Sequence, residues 1–287
     1  MPRLISIAIL TKNGGDAFRE VLEALRRQTV PESWATEVVL LDSGSTDDTL
    51  AAAREAGAVI HEIPPEDFSF GESRDVLFSH CRGEIIATLS QDACPVGTGW
   101  LEAITEPIRA GRADVVQGWE TLSDKPFFWE RIGRFYATSE WRPFFERYGW
   151  SDVPGLSTVN LAVRRSVWEE TGFGPIPMCS DKLFQKRVFE AEKRVELRRD
   201  AVVRHGHEYR TRSLFKRCAN EGMALRRLGF RVSARRTVRD ALNRRNYGAL
   251  IRGVARGEVR SPAEALFPVL RPLGVWYGNR FLSDYWR

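Results

Sequence analysis

The sequence predicts an α/β fold: a mainly parallel β-sheet with helices on both faces, continued at the C-terminus by a helical extension. Three observations carry this. Short β-rich apolar runs alternate with helically periodic segments from the N-terminus to Gly118, the rhythm of strands joined by crossover helices. One of these runs, Ile85-Ile86-Ala87-Thr88-Leu89, is unbroken between Gly83 and the turn at Pro95, the signature of a strand buried on both faces. From Ser213 onward the pattern is helical and basic throughout.

Taken in order, Leu4 to Leu10 is an apolar strand, and Phe18, Val21, Leu22 and Leu25 then recur at helical spacing. Glu37 to Leu41 is the second strand. After it Ser45 is placed to cap a helix running to Ala56, with Asp47 and Asp48 favoured in its first turn by the helix dipole and Gly57 just past its end. Ala58 to Ile63 is a third strand, and a helix from about Glu72 to Cys81 precedes the central strand. Trp100, Leu101, Ile104 and Ile108 mark another helix, and Asp114 to Gly118 another strand. Between Trp119 and Trp150 every third residue on average is Phe, Tyr or Trp, which reads as a helical insertion that uses most of its rings as core. Gly155 to Val163 returns to strand-like sequence. Leu183, Phe184, Val188 and Ala191 line one side of a helix whose first turn holds Ser180-Asp181, and two short strands follow at Val195 to Leu197 and Ala201 to Val203. Breaks in the terminal helices are expected near Pro262, Pro268 and Pro272. The expected division is a domain over 1–212, with halves at 1–118 and 119–212, and a basic helical extension over 213–287.

A chain of 287 residues with 43% apolar side chains can bury a full core, which excludes a disordered or fibrous protein. No apolar run is long enough to span a bilayer, and Met1-Pro2-Arg3-Leu4 leads straight into a strand instead of a signal peptide, so a cytoplasmic protein is expected. Cys81, Cys94, Cys179 and Cys218 form no Cys-x-x-Cys pair and read as free thiols. The net charge of +5 conceals an asymmetry. Between Arg204 and Arg260 sixteen Lys and Arg stand against four Asp and Glu, an excess of twelve, so the rest of the chain carries a net −7. Such a stretch is either a solvated helical face or a surface for an anionic partner, the inner face of the cell membrane or a polyanion. It holds no nucleic-acid recognition module, so nucleic acid is not expected as a partner.

Two carboxylates follow strand ends. Asp42 closes Val38-Val39-Leu40-Leu41 and opens Asp42-Ser43-Gly44-Ser45-Thr46-Asp47-Asp48-Thr49, and Asp92 follows the central strand in Ser90-Gln91-Asp92-Ala93-Cys94-Pro95. In open α/β sheets ligands bind beyond the carboxyl ends of the strands, where the loops converge on a crevice. Either aspartate alone is equally a turn residue. Two at the same edge point to a ligand.

These runs, with Thr11-Lys12-Asn13 closing the first strand, resemble the family 2 glycosyltransferases of the Rossmann-like GT-A fold, and the likeness reaches from the N-terminus to just beyond Ser213. The resemblance implies inverting, metal-dependent sugar transfer, with 1–118 as the nucleotide-sugar-binding half and 119–212 as the acceptor-binding half. Such a transfer needs a divalent cation at the leaving diphosphate, a base for the acceptor hydroxyl and a close-fitting nucleoside loop. Asp42 matches the nucleotide-binding aspartate of the family. Arg74, in Gly71-Glu72-Ser73-Arg74-Asp75, matches an arginine that approaches the nucleotide, with Asp75 where Asn is common. Thr11, Asn13, Ser45 and Gln91 join this nucleotide set. Asp92 matches the last acidic position of the family's Asp-x-Asp metal motif, here Ser90-Gln91-Asp92, a form similar to the bacterial rhamnosyltransferase branch. His205-Gly206-His207-Glu208-Tyr209 is similar to the ending of that branch. Histidines two apart on an extended segment face opposite ways, so one of His205 and His207, with His205 favoured, would share Mg²⁺ or Mn²⁺ with Asp92. Asp181, preceded by Ser180 where Glu is usual, matches the general base, and it is equally a carboxylate favoured by the helix dipole. Trp119 and Asn160 are the acceptor-binding candidates.

The resemblance thus implies an enzyme that transfers a sugar, with dTDP-L-rhamnose as the first donor and UDP-hexoses as the alternative, to a saccharide or lipid-linked acceptor in cell-surface polysaccharide synthesis. A homodimer through the extension is a further expectation. The rival from another class is a non-catalytic nucleotide-sugar-binding scaffold, against which the joint presence of Asp92, Asp181 and a histidine argues. A sugar nucleotidyltransferase would carry a Gly-rich loop after the first strand, and none is present.

Overall fold

The structure, a computed structural model, describes residues 3–135, 140–153, 155–207 and 209–286. The elements begin β1 (Arg3–Thr11), α1 (Gly15–Arg26), β2 (Trp34–Asp42), α2 (Thr49–Glu55), β3 (Val59–Glu62), α3 (Phe70–His80) and β4 (Ile85–Ser90). They continue with β5 (Cys94–Pro95), α4 (Trp100–Arg109), β6 (Val115–Leu122), α5 (Phe128–Arg131), α6 (Arg142–Tyr148), β7 (Asn160–Arg164) and α7 (Arg165–Thr171). The last are α8 (Ser180–Glu190), β8 (Val195–His205), α9 (Thr211–Arg227), α10 (Ala234–Ala241), α11 (Arg244–Ala255) and α12 (Pro262–Phe281). The chain forms two compact units, one of Met1–Thr121, Tyr148–Ile176 and Ser180–His205, the other of Leu122–Arg147, Pro177–Cys179 and Gly206–Arg287. The aromatic stretch at 122–147 therefore groups with the C-terminal helices.

The first unit is built on an eight-stranded sheet of order β3-β2-β1-β4-β7-β6-β8-β5. Its half from β3 to β4 is parallel, and the β4–β7, β6–β7 and β5–β8 pairings are antiparallel, so the sheet is mixed where a mainly parallel one was expected. The chain runs outward from β1 to β3 and then returns to the other side of β1 as β4, which makes β1/β4 the point where strand order reverses. Loops leaving the two strands diverge there and open a crevice. Side chains alternate across the sheet into two cores. Ile5, Ile7 and Ile9 pack with Phe18, Val21 and Leu22 of α1 and Trp100 and Ile104 of α4 on one face. Ala8, Val39 and Ile86 pack with Leu77 and Phe78 of α3 and Phe184 and Val188 of α8 on the other. β4 is buried on both faces up to Leu89, as its unbroken apolar run requires.

Three local expectations are corrected. The helix expected from Ser45 begins at Thr49, because the Ser45 hydroxyl is committed to Asp42, while Asp47 accepts from the Thr49 N–H and hydroxyl at 3.0 and 2.5 Å. The two short strands at 195–203 are one strand, β8, whose polar middle is held by an ion pair of Arg198 with Asp200 at 2.6 Å. Pro268 and Pro272 lie inside α12 without ending it. Proline lacks an N–H, so the Glu264 carbonyl four residues before Pro268 loses its helical donor. Trp129 Nε1 donates to that carbonyl at 2.6 Å instead.

The second unit has its own core, in which Phe127, Trp129 and Phe135 meet Phe267 of α12. The aromatic insertion is thus largely core, although Tyr136 of the same stretch lies outside the described residues. Arg271 of α12 is fully buried between Glu221 of α9 at 3.0 Å and Glu140 at 3.4 Å, with the Phe135 ring 4.9 Å away. Among the described residues no helix is long and apolar enough to cross a membrane.

Candidate active site

At the carboxyl ends of β1 and β2, Asp42 is fully buried and accepts four hydrogen bonds: Gly44 N–H at 2.9 Å and Ser45 N–H at 2.7 Å on Oδ1, Thr11 hydroxyl at 2.9 Å and Ser45 hydroxyl at 2.6 Å on Oδ2. A carboxylate offers about four acceptor positions. Asp42 therefore organises the turn from within, and direct acceptance from a nucleotide, as expected from the sequence, is not what this geometry presents. Asn13 adopts a left-handed φ of 48°, which Asn tolerates better than most residues, and is held there by Ser45 Oγ on its N–H and by the Thr46 N–H on its Oδ1, both at 2.8 Å. Gln91 likewise turns to the protein. Its amide accepts from Lys12 N–H at 2.9 Å and donates to Lys12 carbonyl at 3.1 Å, tying the loop after β4 to the loop after β1.

Asp92 and His205, far apart in sequence, are brought together by the sheet. Asp92 Oδ1 lies 3.5 Å from His205 Nε2, and on the other side of the ring Glu120 Oε2 of β6 lies 3.5 Å from Nδ1. The imidazole is buried, which pulls its pKa down, but hydrogen bonds to Asp92 and Glu120 and their charges outweigh burial and raise it to about 9. Glu120 was not singled out in the sequence; the one available signal was a carboxylate immediately after Trp119 in an aromatic run. His207 is two positions beyond His205, so their Cα atoms are within about 7 Å along the chain, and it belongs to the second unit.

Asp181 stands in the first turn of α8, mostly buried, with Oδ2 at 2.9 Å from Lys182 Nζ. Arg74 of α3 reaches this turn and not the Asp42 loop. Its Nη1 donates to Ser180 Oγ at 2.7 Å and to the Phe70 carbonyl at 3.1 Å, and its pKa is pulled down to about 10 by burial while the Asp181 charge pushes it back up. Asp75 accepts from Trp168 Nε1 and Phe173 N–H on Oδ1, at 2.9 and 2.8 Å, and from Gly174 N–H on Oδ2 at 2.8 Å, so it ties α3 to the segment that leads into α8. Asn160 is a correction. It is fully buried, its Oδ1 accepts from Trp100 Nε1 at 2.9 Å and its Nδ2 donates to the Trp119 and Ala201 carbonyls at 3.1 and 2.8 Å, so its amide is spent inside the sheet and does not face an acceptor. Gly118 permits this knot, because a Cβ there would sit 2.2 Å from Asn160 Nδ2. Trp119 is exposed, with the Arg199 guanidinium 4.6 Å from its ring.

The family model for glycosyl transferase family 2 matches residues 6–172, more than half of the chain. The protein is a family 2 glycosyltransferase. Over 230 residues this glycosyltransferase is 26% identical to the O-antigen chain rhamnosyltransferase RfbN of Salmonella typhimurium, covering 76% of this chain and 71% of the relative. It is 27% identical over 227 residues to the O-antigen chain rhamnosyltransferase WbaN of Salmonella anatum, with the same coverage. Among solved structures, it resembles the mannosyltransferase PcManGT of Pyrobaculum calidifontis in complex with GDP-Man and Mn²⁺, at a TM-score of 0.61 and 16% identity over 99% of this chain and 88% of the other. It also resembles glucosyl-3-phosphoglycerate synthase of Mycobacterium tuberculosis in complex with Mn²⁺, UDP-glucose and phosphoglyceric acid, at a TM-score of 0.59 and 20% identity over 80% and 81%. These likenesses establish the GT-A fold of the glycosyltransferase.

Proposed function

We propose that this glycosyltransferase moves L-rhamnose from dTDP-L-rhamnose, with inversion, onto a hydroxyl of a saccharide or lipid-linked acceptor of a cell-surface polysaccharide, a UDP-hexose being the alternative donor. The observation that carries the reading is the Asp92–His205 pair at the carboxyl end of β4, beside the β1/β4 crevice. The names of the two Salmonella relatives support rhamnose, and the Mn²⁺ complexes of the structural neighbours support a divalent ion.

The residues present fit Mg²⁺ or Mn²⁺. A carboxylate oxygen and an imidazole nitrogen suit such ions, and adjacent ligands of one octahedral ion lie about 3 Å apart, close to the 3.5 Å between Asp92 and His205. Glu120 on the opposite ring nitrogen supplies the outer carboxylate that metal-binding histidines commonly have. Asp92 and His205 would hold the ion, with His207 as the alternate histidine. An ion held there would supply positive charge against that developing on the leaving diphosphate. Asp42, through Thr11 and Ser45, fixes the loops that shape the nucleoside floor. Asp181 accepts the proton of the acceptor hydroxyl as that oxygen attacks the anomeric carbon, while Arg74 and Lys182 hold the turn that carries it. The basic helices α10 and α11, which expose Val238, Ile251 and Val254, with exposed Leu242 just after α10, support peripheral contact with an anionic membrane, for which the expected result is flotation with anionic but not zwitterionic vesicles.

The test is a thermal-shift series on the full chain with dTDP, UDP, dTDP-L-rhamnose and UDP-glucose, with Mn²⁺ and with chelator. A ligand at 100 times its Kd adds about 2.7 kcal/mol to the native state, so dTDP-L-rhamnose with Mn²⁺ should give the largest rise and chelator should remove most of it. A larger rise with UDP-glucose would transfer the donor assignment. No rise with any nucleotide in Mn²⁺ would defeat the reading.

A further inference from the structure

The second unit contains a cavity of 560 Å³ that shares no residue with the site described above. One wall is α11, where Arg245, Ala249, Arg252 and Arg256 recur at intervals that bring them onto one helical face, with Arg244, Gly248 and Gly253 beside them. The other wall is Phe128, Ile132 and Arg134 from the segment around α5. Gly253 lets α11 lie against this wall, since a Cβ there would sit 2.6 Å from the Phe128 ring.

The charge of the lining is one-sided. Five guanidinium groups, those of Arg134, Arg244, Arg245, Arg252 and Arg256, stand against the single carboxylate of Glu258. That carboxylate is already paired with Arg131, outside the lining, at 3.0 Å. Arg244, Arg245 and Arg252 have no carboxylate within 4 Å among the described residues. Arg134 is fixed, because its Nε and Nη2 both donate to Asn246 Oδ1, at 2.8 and 2.6 Å. Like charges around one hollow repel, and an anion seated among them would relieve that repulsion. Guanidinium forks match phosphate oxygens in pairs. The volume falls within the range of about 300–1,000 Å³ typical of small-molecule sites, and Phe128, Ile132 and Ala249 give the lining an apolar part. We infer that this cavity binds an organic phosphate, its charge among the arginines and its substituent against Phe128, Ile132 and Ala249.

The experiment is arginine labelling of the full chain with phenylglyoxal, read by peptide mass spectrometry, at constant ionic strength and in chelator. The added probes are inorganic pyrophosphate, phosphatidylglycerol vesicles or phosphatidylcholine vesicles. Pyrophosphate should protect Arg245 and Arg252 over chloride. In Arg245→Ala/Arg252→Ala, both exposed positions whose loss leaves the core intact, the pyrophosphate concentration that protects Arg244 and Arg256 should rise by at least about tenfold, as expected when charge-assisted bonds are lost. Added protection by phosphatidylglycerol vesicles would identify a lipid headgroup as the source of the phosphate, and protection by pyrophosphate alone a soluble ligand. Either supports the site. Protection by anionic vesicles without any by pyrophosphate would overturn it in favour of a simple membrane surface, and equal labelling in every condition would overturn it outright.

Discussion

His205 is held from two sides, by Asp92 at Nε2 and by Glu120 at Nδ1, and the second contact gives the first its direction. A carboxylate on Nδ1 fixes the ring so that Nε2 faces Asp92, so on the proposed reading Glu120 is a positioning residue. Glu120→Gln keeps the shape and removes the charge. It should weaken Mn²⁺ binding by about 10–100-fold, measured by electron paramagnetic resonance titration of free Mn²⁺, with the thermal unfolding midpoint little changed. Unaltered Mn²⁺ affinity would remove Glu120 from the site. The sequence could not show this partnership, because nothing local links a glutamate after Trp119 to a histidine at the end of a distant strand. Asp42 shows the converse. Its place at a strand end was legible from Val38-Val39-Leu40-Leu41, but whether its oxygens face a ligand or the protein depends on Thr11 and Ser45, and the structure has all of them turned inward.

At the scale of elements, α3 and α8 are joined by Asp75 and Arg74, neighbours in sequence that serve opposite ends of the same connection. Asp75 holds the Phe173–Gly174 turn, and Arg74 holds Ser180 at the head of α8. Hydrogen bonds to a charged acceptor contribute about 1.5–3 kcal/mol each and add incompletely, so Asp75→Ala should cost about 2–4 kcal/mol in urea unfolding. A loss below about 0.5 kcal/mol would mean that water replaces the carboxylate. The β-α alternation and the buried central strand were readable because periodicity is a local property. Two of the misread elements depended on distant partners. α12 runs through Pro268 because Trp129, from a remote part of the chain, takes the orphaned carbonyl. β8 runs through Arg198-Arg199-Asp200 because Arg198 finds Asp200 and Glu106, which a polar break in the sequence does not reveal.

At the scale of the whole molecule, each unit has its own core, and the basic stretch lies almost wholly in the second. The Arg271 guanidinium lies fully buried in that unit between Glu140 and Glu221. Arg271→Leu would take this cation from buried Glu140 and leave Glu221 with Arg217 at 3.1 Å, and should cost about 3–5 kcal/mol in urea unfolding followed by tryptophan fluorescence. A change under about 1 kcal/mol would show that solvent compensates them. Such a variant is a sounder probe of the helices than deletion, which would strip Trp129 and Phe135 of Phe267. The proposed role of Asp181 as base in the sugar transfer is tested by the transfer rate of Asp181→Asn together with nucleotide affinity on the same preparation. Asparagine keeps the size and capping ability and removes the base, so turnover should fall by about 10²–10⁴ with nucleotide affinity nearly unchanged. Equal turnover in variant and wild type would contradict the account.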